Sequence, residues 1–321
     1  METLKDKYKE YFKIGTAVNS FNIKENHSLI VEHFNSVTCE NSMKYGVVLK
    51  KNGEYDLKYA DEHYMFAKNN SIAVRGHNFV WHNQTAKQIM DHSREEVIDI
   101  LRKHMILMNE KYGEITYAWD VVNEAIEDKS DEYLRKSVWK DKLGEDYIKD
   151  VFRLARECVN PGTELFYNDY NEYVPEKMTK IERLIKSVNA DEKLIDGMGM
   201  QCHVNLYYPG LDLMRKAIEL YISLGLRIHI TEMDLSYYRF EDRSSMDKPT
   251  KELEEKHAKL YGDYFALFRE YKDYIDSVTL WGAADSYTWL DYFPVHNRKN
   301  WPLLFDVDGK PKEAFYRVMD F

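Results

Sequence analysis

Two glutamates stand out because each follows an apolar, β-branched run of the kind that forms a buried strand. Glu124 closes "YAWDVVNEA" (Tyr117–Ala125) with Asn123 beside it, and Glu232 sits in "RIHITEMD" (Arg227–Asp234). A single carboxylate at a strand end is commonly a salt bridge or a rim residue. Two in one desolvated cleft behave differently, because both cannot ionise easily. One pKa rises and that group becomes a proton donor near neutrality; the other stays ionised, especially when hydrogen-bonded. One acid and one nucleophile are the equipment of glycoside hydrolysis. Other apolar runs end in the same manner: in Glu40 and Asn41, His77 and Trp81, Asn168 to Asn171, Gln201 and His203, and Trp281 and Asp285. Strand termination alone would supply Gly, Pro and Ser as often as Glu, His and Trp.

For such ends to meet, the strands must run parallel and deliver them to one face. Eight strand patterns are present: Phe12–Asn19, Ser36–Met43, Ile72–Trp81, Tyr117–Ala125, Glu164–Asn171, Gly197–Val204, Arg227–Asp234 and Ile275–Asp285. Between them lie amphipathic stretches, clearest at Glu95–Lys111, Glu145–Cys158, Lys177–Val188, Leu211–Leu224 and Lys251–Tyr271. Ser93 followed by Glu96 reads as a capping box, and Asn160-Pro161-Gly162 as a helix stop. Eight alternating units are the count of a closed (β/α)8 TIM barrel of the α/β class, whose active face lies at the carboxyl ends of the strands. A doubly wound open sheet is the alternative. It usually has fewer strands and, when it binds nucleotides, a Gly-rich first turn, which "KIGTAVN" lacks. No Pro/Gly-rich linker divides the chain, so residues 1–321 read as a single catalytic domain.

The bulk properties narrow the partner. The chain has 321 residues, 44% of them apolar, and a net charge of −10. That charge argues against nucleic acid and offers no attraction to anionic lipid. The start "METLKDKYKEYF" has no apolar core of signal-peptide length, and no run approaches the ~18 apolar residues of a membrane helix. Cys39, Cys158 and Cys202 are odd in number and lack metal-like spacing, so they read as buried free thiols suited to a reducing compartment. The expected location is the cytoplasm. His77, His82, His203 and His229 raise a zinc site as a rival, without an HExxH or HxH pattern behind it. A phosphate-binding barrel is a further rival, but no glycine-rich loop follows the seventh or eighth strand.

These residues resemble glycoside hydrolase family 10, the β-1,4-xylanase family, over nearly the whole chain. The resemblance is carried by "TCENSMK" (Thr38–Lys44), "RGHNFVWHNQ" (Arg75–Gln84), "WDVVNEA" (Trp119–Ala125), "FYNDYN" (Phe166–Asn171), "GMGMQCHV", "HITEMD" (His229–Asp234), "WGAADSYTWL" (Trp281–Leu290) and "WPLLFD" (Trp301–Asp306). It implies that Glu124 is the general acid/base and Glu232 the nucleophile of a retaining endo-1,4-β-xylanase. Asn123 matches the residue that binds the sugar 2-OH. Lys44, His77, Gln201 and His203 match other hydrogen-bonding positions around the cleaved sugar. Trp81, Trp281 and Trp289 match its aromatic walls. Glu40 and Asn41 match the contacts to the next sugar toward the non-reducing end, with Gln84 also counted as substrate-binding. Asp234 is implied as the partner that orients His203. No cofactor and no metal are implied; the partner is a xylan-derived oligosaccharide. Crowding by Trp289 at the position of a C6 hydroxymethyl group would favour xylose over glucose.

The chain departs from the family after Gln84, where a Pro and then a Trp often follow and "TAKQIMD" stands instead. Distal parts of the cleft are therefore open. The stretch Arg239–Lys259 reads as a solvated loop leading into a helix, and Phe293–Pro302 as a loop overhanging the site. Two rivals remain: a retaining β-glycanase for another β-1,4 glycan, and a catalytically silent sugar-binding barrel.

Overall fold

Eight parallel strands form because short runs buried on both faces can pair only where helices cover the outside. The computed structural model describes residues 2–50 and 52–321. Its barrel strands are β1 (Lys13–Val18), β2 (Ser36–Cys39), β3 (Ala73–Trp81), β4 (Thr116–Asn123), β5 (Glu164–Asp169), β6 (Gly197–Met200), β7 (Arg227–Ser236) and β8 (Ile275–Leu280). Each pairs with the next, and Lys13 opposite Ser277 joins β1 to β8. That closure removes the open sheet from consideration.

The covering helices are α1 (His27–His33), α2 (Lys58–Asn69), α3 (Arg94–Tyr112), α4 (Tyr147–Cys158), α5 (Pro175–Val188), α6 (Leu211–Ser223), α7 (Lys251–Glu270) and α8 (Glu313–Met319). The Ser93–Glu96 capping box is present at the start of α3. Beyond the end of α4, the Asn160 side chain pairs with Asn109 and with the Gly113 carbonyl, and Gly162 takes φ +91°. Among the described residues, no helix is long and apolar enough to cross a membrane.

Three strand patterns overreach most. The second stops at Cys39 instead of Met43, and the eighth at Leu280 instead of Asp285. In both, buried side chains continue after the backbone has left the ladder, so hydrophobicity outlasts the strand. The sixth is interrupted at Gln201 and Cys202, Cys202 taking φ +55°, and a short piece (His203–Asn205) then pairs with the far end of β7. The interruption turns Gln201 and His203 toward the two glutamates.

The barrel interior is polar in its middle. Arg75 is fully buried and pairs with both carboxylate oxygens of Asp120 (2.5 and 2.6 Å), and His77 Nδ1 lies 2.8 Å from the same Asp120. A buried charge is tolerated only when paired in this way. Gly76, between Arg75 and His77, leaves room for the Trp119 indole; a Cβ there would lie 2.2 Å from that ring.

Candidate active site

The chain turns sharply as it leaves β4. Glu124 takes φ +55°, a conformation uncommon outside glycine. Its N–H donates to the Asn168 carbonyl (2.8 Å), and the Arg135 guanidinium donates to the Glu124 and Ile126 carbonyls (3.1 and 3.3 Å). The Tyr167 hydroxyl accepts from the Ala125 and Ile126 N–H groups (3.1 and 3.2 Å) and itself donates to Asp169, which Lys177 holds at 2.7 Å. The turn is therefore over-determined, as a strained functional backbone needs to be.

Three donors converge on the Glu124 carboxylate. Trp81 Nε1 donates to Oε2 (2.7 Å); Gln201 Nε2 and Asn123 Nδ2 donate to Oε1 (3.0 and 3.2 Å). Glu232 faces a different set. Asn168 Nδ2 donates to its Oε1 (2.8 Å), and His203 Nε2 to its Oε2 (3.2 Å). Burial alone would raise the Glu232 pKa. The His203 hydrogen bond and the fields of His77, His203 and Lys44 overcome it and bring the group down to about 2. Burial likewise pulls His203 down, but the Asp234 charge, then Glu232, push it up to about 10. His203 Nδ1 meets Asp234 Oδ2 at 3.0 Å as a charge contact rather than an aligned hydrogen bond, while Trp289 Nε1 donates to the same oxygen at 2.7 Å. A nearly buried imidazolium thus stands between two carboxylates, one of them Glu232.

One amide chain links the two glutamates. Asn123 donates to Glu124 and accepts from Asn168 Nδ2 (2.9 Å), which also donates to Glu232. Thr231 Oγ1 donates to the side-chain Oδ1 of Asn168 at 2.7 Å and fixes that amide's orientation.

The remaining expected residues flank this centre. The Lys44 ammonium lies 3.1 Å from Asn41 Oδ1 and 4.5 Å from the centre of the Trp81 ring; burial lowers its pKa against the raising fields of Glu232, Glu40 and Glu124. Gln84 reaches the same Asn41 oxygen at 3.4 Å. Glu40 is buried and accepts from Asn19 Nδ2 at 2.8 Å. Trp281 lies edge-on to His77 (5.7 Å between rings), and Trp289 lies 4.9 Å from His203. All fourteen expected residues gather at the carboxyl ends of the strands. Trp81 does more than form a wall, since its indole N–H is bound to Glu124.

The structure gives a place in the site to residues that sequence reasoning named without assigning them this role, or passed over. Asn168 connects both carboxylates; its signal was its place in "FYNDYN" at a strand end. Asp120 anchors His77 from within β4, where it looked like one polar residue in an apolar run. His82 lies 3.9 Å from Glu124 Oε2, and burial, helped by the charges of Arg135 and Lys177, lowers its pKa to about 4. The segment after Gln84 packs inward: Ala86 and Ile89 are buried, and Trp139 Nε1 donates to the Trp81 carbonyl at 2.8 Å. Arg298 ties two loops together by donating to the Asp242 and Ser244 carbonyls (2.6 and 3.2 Å).

A (β/α)8 barrel with two differently wired carboxylates and three indoles at its carboxyl face has the make-up of a glycoside hydrolase. The comparisons carry this to the family. The family model "Glycosyl hydrolase family 10" matches residues 3–321. Endo-1,4-beta-xylanase A of Caldicellulosiruptor saccharolyticus is 48% identical, over 98% of this chain and 94% of its own length. Endo-1,4-beta-xylanase B of Paenibacillus barcinonensis is 45% identical, over 99% of this chain and 97% of its own. A mutant protein solved in complex with xylotriose superposes with TM-score 0.97 at 45% identity, covering 100% of both chains. The chain belongs to glycosyl hydrolase family 10.

Proposed function

We propose that the protein is a retaining endo-1,4-β-xylanase in which Glu232 is the nucleophile and Glu124 the acid/base. The observation that carries the assignment is the unequal wiring of the two carboxylates. Glu232 is held ionised by His203 and Asn168 inside a buried site, as a nucleophile must be. Glu124 lies at the less buried side, reached by three donors that orient both of its oxygens.

In the first step Glu232 attacks the anomeric carbon, the C1–O bond breaks, and Glu124 delivers its proton to the leaving oxygen. In the second, Glu124 takes a proton from water as that water attacks C1 and releases Glu232. Asn123 is the hydrogen-bonding partner for the sugar 2-OH beside the nucleophile. Trp281 and Trp289 bound the ring, and crowding by Trp289 at C5 would disfavour a sugar that carries a hydroxymethyl group there. Relatives named as xylanases and a structural neighbour holding xylotriose support xylan-type oligosaccharides as substrates. Proton NMR of the first-formed product tests the mechanism: β-anomeric xylose ends are expected, and α ends overturn it. Parallel rates on xylo- and cello-oligosaccharides test the sugar; faster cleavage of the latter overturns it. With substrate bound, the two carboxyl groups are expected about 5–5.5 Å apart.

We further propose that the enzyme works in a reducing compartment on short oligosaccharides, so that kcat/KM rises with chain length to about four to six units and then flattens. Three buried thiols without disulfides support the compartment. Recovery of the native protein from culture medium, or a rise that continues to long polymer, overturns this proposal.

A further inference from the structure

The sixth strand breaks off after Met200, and the break is held from behind. Gln201 still follows the sheet: its N–H donates to the Asp169 carbonyl (3.1 Å), and its own carbonyl accepts from the Glu232 N–H (3.1 Å). Cys202 then takes φ +55°, and His203 resumes pairing opposite Asp234. A left-handed residue other than glycine persists only where its surroundings hold it. This turn decides where two functional side chains go, because Gln201 reaches Glu124 and His203 reaches Glu232.

Two consecutive residues of the loop after β5 hold it. Glu172 Oε1 accepts the Cys202 N–H at 3.0 Å, and the Tyr173 hydroxyl donates to the His203 carbonyl at 3.2 Å. The Glu172 oxygen thus replaces the strand partner that the Cys202 N–H has lost. Glu172 is itself pinned, since its carbonyl accepts from the Tyr221 hydroxyl of α6 at 2.6 Å. Its side chain is fully buried, and Oε2 takes no hydrogen bond among the described residues. The titratable groups that face it are Cys202 and His203 from the interrupted strand, Tyr173 from its own loop, Tyr221 from α6 and Tyr264 from α7; His203 is the cation among them. Burial pushes the Glu172 carboxyl up to about 7. A residue that only filled the core here would be apolar, because an unpaired buried carboxyl oxygen costs free energy.

We propose that Glu172 is a positioning residue for both members of the catalytic pair. Its acceptor oxygen keeps Cys202 in the left-handed turn, and the turn aims Gln201 at Glu124 and His203 at Glu232. The Tyr173 hydroxyl holds the second half of the same turn. Glu172 has no exposed surface, so it acts through these two residues and not on the sugar. What the turn needs from it is an acceptor at the right reach, which an amide oxygen supplies as well as a carboxyl. The proposal rests on the xylanase reading above.

The test compares Glu172→Leu, which keeps the bulk and loses the acceptor, with Glu172→Gln, which keeps an acceptor oxygen at the same reach. Nitrophenolate release from 4-nitrophenyl β-xylobioside gives kcat, KM and the pH–rate profile. Active enzyme is counted with a fluorinated xylobioside that labels Glu232 once. Glu172→Leu is expected to lower kcat about tenfold, the order for a catalytic group displaced by a fraction of an ångström. KM should stay within about twofold, because the expected sugar contacts of Glu40, Asn41 and Lys44 come from the loop after β2. The acidic limb of its profile is expected to move upward, since a displaced His203 holds Glu232 down less. Glu172→Gln is expected to bring kcat back to within about twofold of the unmodified enzyme, with the limb in place. An unchanged Glu172→Leu, a loss of kcat without a shift of the limb, or a Glu172→Gln as impaired as Glu172→Leu overturns the proposal and leaves the xylanase reading standing. If Glu172→Leu yields no folded protein, Tyr173→Phe decides. It removes only the hydroxyl on the His203 carbonyl, and its acidic limb is expected to move the same way by a smaller amount; an unmoved limb overturns the proposal. No release by the unmodified enzyme overturns the xylanase reading and this proposal with it.

Discussion

Two histidines at different heights of the barrel, His203 and His229, are both surrounded by charge, and they respond in opposite directions. His203 stands between Glu232 and Asp234 at the active face, and its pKa is pushed up to about 10. His229 lies three residues before Glu232 on β7, stacked on Phe166 (4.0 Å), with Nδ1 accepting from Arg75 Nε at 3.1 Å. Burial, reinforced by Arg75, Lys13 and Arg227, holds its pKa well below the usual histidine range. Burial acts the same way on both rings; the sign of the neighbours decides the outcome. The lower ring also shows why proximity is not ligation. Glu164, His229 and Asp276 bring ligand atoms within 4.8 Å of one another. Because Nδ1 accepts from Arg75, Nε2 carries the ring hydrogen and has no lone pair to offer a cation, and Asp276 is already paired with Arg227. The upper ring is charged and belongs to the catalytic layer; the lower ring is neutral and structural.

If that division holds, the largest effects come from the upper layer. Glu232→Ala removes the group that forms the covalent bond and is expected to lower kcat by on the order of 10⁵ or more on every substrate. Glu124→Ala should be selective. Substrates whose leaving group needs protonation should lose about 10²–10⁴. A dinitrophenyl glycoside should keep its first step and stall at the glycosyl–enzyme stage, where added azide restores turnover. Equal losses on both substrate types in the two variants would show the roles to be misassigned.

How much of this was legible beforehand follows the same division. The residues of the upper layer declared themselves by type: Glu, His, Trp and Gln at the ends of apolar runs have few other reasons to be there. The barrel was legible from the alternation itself. What connects the site was not. Asn168 reaches Glu232 across 64 positions of sequence, and the His77–Asp120 pair spans 43; neither separation leaves a local trace. Helix α2 was overlooked because its buried face, Ala60, His63, Tyr64 and Ala67, has helical spacing but little hydrophobicity. The interruption of the sixth strand was hidden because Cys202 is apolar and buried, and nothing about its type announces a positive φ.

A smaller effect is expected at His203. His203→Gln keeps a hydrogen-bonding side chain but removes the positive charge between Glu232 and Asp234. The expected fall in kcat/KM is on the order of 10²-fold. With its imidazolium gone, Glu232 titrates higher, so the acidic limb of the pH–rate profile moves upward. A profile that keeps its acidic limb in place would contradict the pairing.

The smallest catalytic effect, and the sharpest test of the comparison, belongs to His229→Phe. The substitution preserves a ring against Phe166 and leaves one Arg75 N–H without its acceptor, a loss of about 1–3 kcal/mol in stability. kcat/KM should stay near the unmodified value, since Arg75 keeps both bonds to Asp120. The pH dependence separates the two layers. The pKa of His229 is lower in the folded than in the unfolded chain, so its contribution is present above about 6.5 and lost as pH falls toward the folded value. His203 is raised by folding, so its contribution is present below about 6.5 and lost as pH rises toward 10. Denaturant midpoints across pH therefore have a predicted asymmetry. The deficit of His229→Phe relative to the unmodified protein should be larger at pH 8 than at pH 5, and that of His203→Gln larger at pH 6 than at pH 9. Deficits that slope the same way would mean that the two rings do not differ in charge, and the division between the layers would fall.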